Sequence, residues 1–288
     1  MTGKLNKRLA LEELQRRREK QIRKEFKRNF REQQLANNLN QTLIRDSDTP
    51  IGNELDCACV IHGHGYDWVY VEKLYNMLVR NSTRKIRFHV YTELERSVPP
   101  HMIKHVLTEW NGVTGPRKSW WYKMQLFNSE HHQGPLLYFD LDLVLVRNID
   151  WIANLPTRYF WAIKDFRYLW RNNHAGINSS VMWWDTRKFN HIWQEFSTQN
   201  LDYICKKFHG DQDYISMHIS NKERRTFEEK YIMSWRWQAL DGGYDFKSRI
   251  FKQPNTGTKF DNETSILVFH GNPKPHETTD PEIIKYWQ

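Results

Sequence analysis

Cysteine is scarce in this chain: 288 residues contain three, Cys57, Cys59 and Cys205. Three thiols cannot all pair with one another, and Cys57 and Cys59 lie two apart on a predicted strand, so a disulfide scaffold is excluded. No run approaches the ~18–20 uncharged apolar residues of a membrane span. The first 30 residues lack the apolar stretch of a secretory signal. Both absences make a reducing cytoplasm the expected compartment. Internal repeats are missing, as are the GxGxxG and GxxxxGK[ST] loops that cradle phosphates, which disfavours dinucleotide and P-loop enzymes. Residues 1–45 contain no proline and one glycine.

Aromatic residues, in contrast, are abundant at 14%, with 13 Trp, 13 Tyr and 15 Phe. They can fill a sizeable core, which excludes a wholly disordered chain. The net charge of +9 is unevenly spread. Residues 1–49 carry 13 Lys/Arg against 7 Asp/Glu, and the remainder 30 against 27. The basicity therefore belongs to the tail, and the body is close to neutral.

Two domains are predicted, a basic helical extension over 1–48 and a catalytic domain over 49–288. In the tail, Ile22, Phe26 and Phe30, and again Leu35, Leu39 and Leu43, recur at helical spacing. A loosely packed solvated helix accounts for that stripe. Self-association or attachment to an anionic membrane surface accounts for it as well. Acidic residues interrupt the basic runs, which argues against nucleic acid. The segment 46–52 (DSDTPIG) reads as a linker.

From residue 55 strands and helices alternate. Strands are predicted at Asp56–His62, Ile86–Thr92, Pro135–Phe139, Val144–Val146, Tyr159–Ile163, Val181–Trp184 and Ser265–Phe269. Helices are predicted at Trp68–Val79, Pro100–Trp110, Ser119–Phe127, Thr186–Phe196 and Asp211–Ile219. The alternation gives an α/β fold with a mostly parallel sheet flanked by helices. Ligands of such sheets bind outside the carboxyl ends of the strands.

The most informative segment is 134–150, GPLLYFDLDLVLVRNID. An apolar strand there delivers Asp140 and Asp142, two residues apart and so on one side of an extended chain. Buried carboxylates need a cation or donors. A divalent ion and an ordinary carboxylate pair capping helices or meeting Arg are equally good accounts of this motif taken alone. The last predicted strand ends in VFHGNPKP. His270 can supply an imidazole, Gly271 allows close backbone approach, and Lys274 sets a cation between two prolines. Together these are the parts that hold a metal–diphosphate. His62 and Tyr66 follow the first strand in HGHGYDW. Adjacent tryptophans, Trp120/Trp121 and Trp183/Trp184, are expected to place one ring inward and one outward.

These blocks resemble, in order, those of the family 8 glycosyltransferases, the glycogenin and lipopolysaccharide galactosyltransferase group, which have the GT-A fold. WWYKMQLF, FDLDLVLVRNID, WAIKD with GINSSVMWW, GDQDYIS and FHGNPKP carry the resemblance over roughly residues 56–275. It implies a nucleotide-sugar-dependent, Mn²⁺-dependent transferase that retains anomeric configuration. UDP is the implied nucleotide, and the acceptor is a glycan, a lipid-linked sugar or a protein. Asp140, Asp142 and His270 would bind the metal. Lys274 and Gly271 would meet the diphosphate, with His62 and Tyr66 on the nucleotide. Lys123, Asp165, Asn178, Asp211 and Gln212 would surround the donor sugar, and Gln212 or Asp213 would face the reacting carbon beside Asp211. Imidazole tolerance favours Mn²⁺ over Mg²⁺. Lys274 follows His270 by four positions where the family commonly has six, and Ser180 replaces a usual glycine. Two other functions fit parts of the chain: a nucleotidyltransferase of similar architecture, and a basic nucleic-acid or membrane adaptor built on an inactive transferase fold.

Overall fold

A computed structural model describes residues 48–49, 51–110, 119–171, 174–240, 244–245, 250–251 and 257–288, with Gln21, Lys24, Glu25 and Arg28. The chain separates into two compact units, Met1–Ser47 and Asp48–Gln288. In the first, the four described residues are helical and exposed. The expected apolar stripe of the tail lies outside the described residues.

In the second unit, strand β1 (Glu54–Val60) pairs in parallel with β2 (Lys85–Thr92) through the helix α1 (Val69–Arg80). The helix buries Tyr70, Val71, Leu74, Met77 and Leu78, one stripe at 3.6-residue spacing. Along β1, Leu55, Cys57 and Cys59 enter one hydrophobic cluster and Ala58 enters another. The sheet is therefore covered on both faces, as a parallel sheet requires. The three cysteines are free thiols.

Strand β3 (Ile103–Val106) pairs with the far side of β2. A helix over Pro100–Trp110 is thus not formed. The open edge of β2 offers these residues a ladder, and Leu107 N–H continues it to the Thr92 carbonyl at 2.9 Å. Residues Ser119–Phe127 form a 3₁₀ helix. Strand β4 (Pro135–Phe139) returns parallel to β1, and β5 (Leu143–Leu145) follows after three residues. Next come α2 (Asp150–Ala153), β6 (Phe160–Lys164) and β7 (Ile177–Asp185), with β7 antiparallel to both β4 and β6. The helix expected over Thr186–Phe196 divides at Asn190 into α3 (Thr186–Phe189) and α4 (His191–Ser197). Helices α5 (Leu201–Lys207) and α6 (Asp211–His218) lead to β8 (Arg224–Thr226), parallel to β6. The seven-stranded order is β3-β2-β1-β4-β7-β6-β8.

A smaller sheet sets β5 between the large sheet and the chain end. Strand β9 (Ile232–Ser234) and, after the short pair β10 (Tyr244–Asp245) and β11 (Ile250–Phe251), strand β12 (Ile266–Val268) give the order β5-β12-β9. Helix α7 (Pro281–Tyr286) is the last element. Trp183 and Trp184 are both fully buried, in opposite clusters, because β7 is an interior strand. Trp121 is buried and Trp120 is 42% exposed, the inward–outward pair that the sequence predicts. Among the described residues, no helix is long and apolar enough to cross a membrane.

Candidate functional site

Strand register brings distant motifs together. Antiparallel pairing of β5 with β12 sets Val268 opposite Leu143, and Phe269 N–H donates to the Asp142 carbonyl at 2.9 Å. His270 is therefore delivered beside the Asp140–Asp142 segment by backbone bonding. Parallel pairing of β12 with β9 sets Val268 opposite Ser234, and the Ser234 hydroxyl lies 2.6 Å from His270 Nε2. On the other side, Phe139 opposes Val181 and Asp140 N–H donates to the Ser180 carbonyl at 2.8 Å. That places Asn178, Ser179 and Ser180 alongside Asp140.

These residues open on one cavity of about 490 Å³, within the range of small-molecule sites. Its walls include His62, Tyr66, Lys123, Asp140, Asp142, Asn178, Asp211, Gln212, Asp213, His270, Gly271 and Lys274. Of the site residues that the sequence singles out, Asp165 alone is absent from these walls. Its carboxylate accepts from Arg167 N–H at 2.9 Å and Arg167 Nε at 2.8 Å, and His174 Nε2 stands 3.0 Å away. Asp165 thereby caps the turn 166–169.

Three of the cavity's four carboxylates, Asp140, Asp142 and Asp211, meet an ammonium. Lys123 Nζ stands 2.8 Å from Asp140 and 3.3 Å from Asp211. Tyr138 donates its hydroxyl to Asp140 at 2.6 Å, and Ser179 donates to Asp211 at 2.6 Å. Burial alone lowers the Lys123 pKa, but Asp140 and Asp211 outweigh it and hold the ammonium above its ordinary value. Burial pushes the Asp140 carboxyl up, and Lys123 with Tyr138 reverses this and holds it below the usual range. Asp142 is 8% exposed and bonds Lys274 Nζ, and Tyr66 donates to it at 2.9 Å. Burial, reinforced by the Asp140 charge, raises its carboxyl above the ordinary value against the pull of Lys274. Burial, with Arg236 and Lys274 nearby, pushes His270 down to about 3, so its ring is neutral and able to ligate.

Asp140, Asp142 and His270 line the same cavity, yet they are not a preformed three-ligand set. Among the described residues the one trio of carboxylate, thiol or imidazole groups with ligand atoms all within 4.8 Å of one another is Asp56, His89 and His132. The physical reason is that Lys274 already neutralises Asp142, and Ser234 already holds His270 Nε2. The glycine loop after β1 is also occupied: Gly63 N–H donates to the Glu93 carboxylate, and Arg96 bonds the Gly63 carbonyl at 2.7 Å. A phosphate would find that backbone taken.

Sequence reading missed several wall residues. Trp120, His209 and Gly210 line the cavity, as do Ser119, Gly65 and Leu141. Trp120, the outward ring of its pair, gives the only signal in this set. His62 stacks on Tyr122 at 3.9 Å and lies 3.1 Å from Glu109, a partner remote in sequence.

Solved structures with this architecture are GT-A glycosyltransferases. The galactosyltransferase LgtC, solved with donor and acceptor sugar analogues and as an active-site variant, matches with a TM-score of 0.56 and 11% identity. The match covers 80% of this chain and 93% of LgtC. GlyE of Streptococcus pneumoniae TIGR4 matches at 0.56 and 15% identity, covering 78% of this chain and 57% of GlyE. The bifunctional glycosyltransferase WbbM matches at 0.53 and 10%, covering 82% of this chain and 50% of WbbM. This chain thus spans about half the length of the latter two. At such identities the likeness defines the fold, and the fold is GT-A. No protein-family model matches the chain, and no curated protein matches it in sequence.

Proposed function

We propose that the chain is a metal-dependent glycosyltransferase that moves a hexose from a UDP-sugar to a glycan, lipid-linked or protein acceptor with retention. The observation that carries this reading is the opening of Asp140 and Asp142, each held by an ammonium, on one 490 Å³ cavity at the carboxyl ends of the strands. A GT-A fold and the ordered motifs agree with it. In this reading residues 49–288 are the catalytic body and residues 1–48 a helical extension, in a cytoplasmic setting.

The donor set suits a divalent ion in its two hard carboxylates and its neutral imidazole, with His270 released from Ser234 and Lys274 from Asp142. A bound Mn²⁺, or Mg²⁺ in its place, supplies Lewis acidity toward the leaving diphosphate. Lys274 then turns from Asp142 to the phosphate oxygens and adds fixed positive charge there. Lys123 stands between Asp140 and Asp211 and offsets the charge of both. The bond from the anomeric carbon to the phosphate oxygen breaks, a bond to the acceptor oxygen forms, and the acceptor proton passes to the leaving phosphate. Asp211 and Gln212, in the first turn of α6, accept hydrogen bonds from the sugar, and His62 on Tyr122 offers a flat face to the base.

The test is a calorimetric and thermal-shift screen of nucleotide sugars with and without Mn²⁺. A UDP-hexose should raise Tm only with the ion present, since a ligand of the folded state stabilises it by mass action. Equal binding by the Asp142→Ala variant, or no nucleotide sugar bound at millimolar concentration, overturns the reading.

A further inference from the structure

We propose that Asp56, His89 and His132 form a site for a borderline divalent ion such as Zn²⁺, which ties the loop before β4 to strands β1 and β2. Register explains why they meet. Ala58 opposes His89, so Asp56 and His89 point from neighbouring strands to one face of the sheet. His132 reaches that face from the loop that ends at Pro135, with its ring 4.9 Å from that of His89. One ligand atom from each of the three lies within 4.8 Å of the others, close enough for a small expansion to seat an ion. Two imidazoles and a carboxylate are ligands for zinc, and three protein ligands leave an open position.

The surroundings are those of a built site. A metal-bound imidazole normally passes its other N–H to an acceptor. His132 Nε2 lies 3.2 Å from the Pro135 carbonyl, which can only accept. This puts the His132 proton on Nε2 and leaves the Nδ1 lone pair for an ion. His89 Nδ1 lies 2.8 Å from His105 Nε2, and His89 Nε2 lies 2.7 Å from Asp56 Oδ1. In the tautomer that directs the His89 Nδ1–H at His105, His89 Nε2 keeps its lone pair beside the Asp56 carboxylate, and the two can turn to one ion.

Arg87 Nε, 3.2 Å from Asp56, is the competing cation, and it has a second partner in Glu54 at 3.7 Å. Asp56 and Pro135 also line a cavity of about 260 Å³. The trio lies toward the amino ends of β1 and β4, whereas the nucleotide-sugar cavity lies at their carboxyl ends, so the two sites fail or stand separately.

The experiment uses the full chain after chelation and titrates Zn²⁺ by calorimetry and thermal shift. One ion per chain should bind, raise Tm, and bind equally well to Asp142→Ala. His132→Ala and Asp56→Asn should lower zinc affinity at least about 100-fold, and His105→Gln roughly 10-fold. Because His89 is buried, its replacement would confound folding with binding, so His132 on its loop carries the test, with circular dichroism confirming the fold. Absence of zinc binding by the wild-type chain, wild-type affinity in His132→Ala, or loss of binding in Asp142→Ala overturns the proposal.

Discussion

Two groups of buried acids sit on this sheet, and they are neutralised by different means. At the carboxyl end, Asp140, Asp142 and Asp211 face the full charges of Lys123 and Lys274. Toward the amino end, Asp56 faces the His89 ring, with Arg87 at its rim. Asp140 and Asp211 hold the Lys123 ammonium above its ordinary value; a cation arriving at these carboxylates must displace an ammonium, and an arriving anion can recruit one. The imidazoles beside Asp56 carry ring nitrogens that can ligate, and among the described residues Arg87 is the protein cation that an arriving ion must displace there. The first arrangement suits a diphosphate accompanied by an ion, and the second suits an ion alone.

The largest expected effect breaks the first arrangement. Asp142→Ala should lower glycosyl transfer by roughly 10³-fold, the order found when one electrostatic partner of a transition state is removed. The measurement is donor turnover at saturating nucleotide sugar and Mn²⁺. A loss under tenfold in a folded variant would show that this carboxylate does not face the leaving group.

Next in size is the loss of a counter-charge. Lys123→Met leaves Asp140 and Asp211 buried without their shared ammonium, and removing one partner of a buried pair costs about 3–5 kcal/mol. Urea unfolding should show a fall of that order, and Asp211→Asn in the same chain should recover part of it. An unchanged midpoint would mean that solvent screens this cluster as it screens surface pairs.

Much of this arrangement was legible in the sequence because it is carried by strand ends. The apolar run Pro135–Phe139 followed by Asp140 and Asp142 needs nothing beyond periodicity and charge to be read, and the structure places the strand over those residues. The meeting of His270 with the Asp140–Asp142 segment depends on β5–β12 register, which local spacing does not encode; only the ordered motifs hinted at it. The lysine on each aspartate was hidden for the same reason, since 17 residues separate Lys123 from Asp140 and 132 separate Lys274 from Asp142. Pro100–Trp110 reads locally as a helix, yet Ile103–Val106 takes its state from the β2 edge, which local spacing does not encode. Nothing in the sequence around His131 and His132 points to a site, because the partners of His132 lie on strands far earlier in the chain. The Arg167 side chain two residues on holds the Asp165 carboxylate, a contact the motif WAIKD did not announce.

A half-buried acid away from both groups, Glu195, sharpens the comparison. Glu195 has His218 Nε2 at 3.4 Å, and burial raises its carboxyl from the usual range to about 7. His218 is itself held down to about 4 by burial, so it offers no charge at neutral pH. A folded-state pKa above the unfolded value means that the stabilisation is present below about pH 4.5 and is lost as pH rises through 7. Glu195→Gln should therefore flatten the decline in unfolding free energy between pH 5 and pH 8 by about 2–3 kcal/mol, at about 1.4 kcal/mol for each tenfold difference in proton affinity between the folded and unfolded chain. Parallel pH profiles of the two chains would instead mean that Glu195 is neutralised as fully as Asp140.

The smallest effect concerns the backbone that carries Lys274. Gly271 has φ +80°, and an added Cβ would meet Arg236 Nη1 at 3.0 Å. That guanidinium tip can move, so most of the cost of Gly271→Ala is the left-handed backbone itself, about 1–2 kcal/mol. Relaxing that strain shifts the loop from His270 to Lys274, and donor KM should rise roughly 3–10-fold at the matching 1.4 kcal/mol per decade. Gly210, on another wall of the cavity, is the control. Its φ of −171° is open to any residue, and an added Cβ would touch the Trp120 ring at 3.4 Å, an ordinary contact. Gly210→Ala should leave stability within about 0.5 kcal/mol. If the two alanine variants behave alike in unfolding and in donor KM, the position of Lys274 is set by its bond to Asp142 and not by the turn at Gly271.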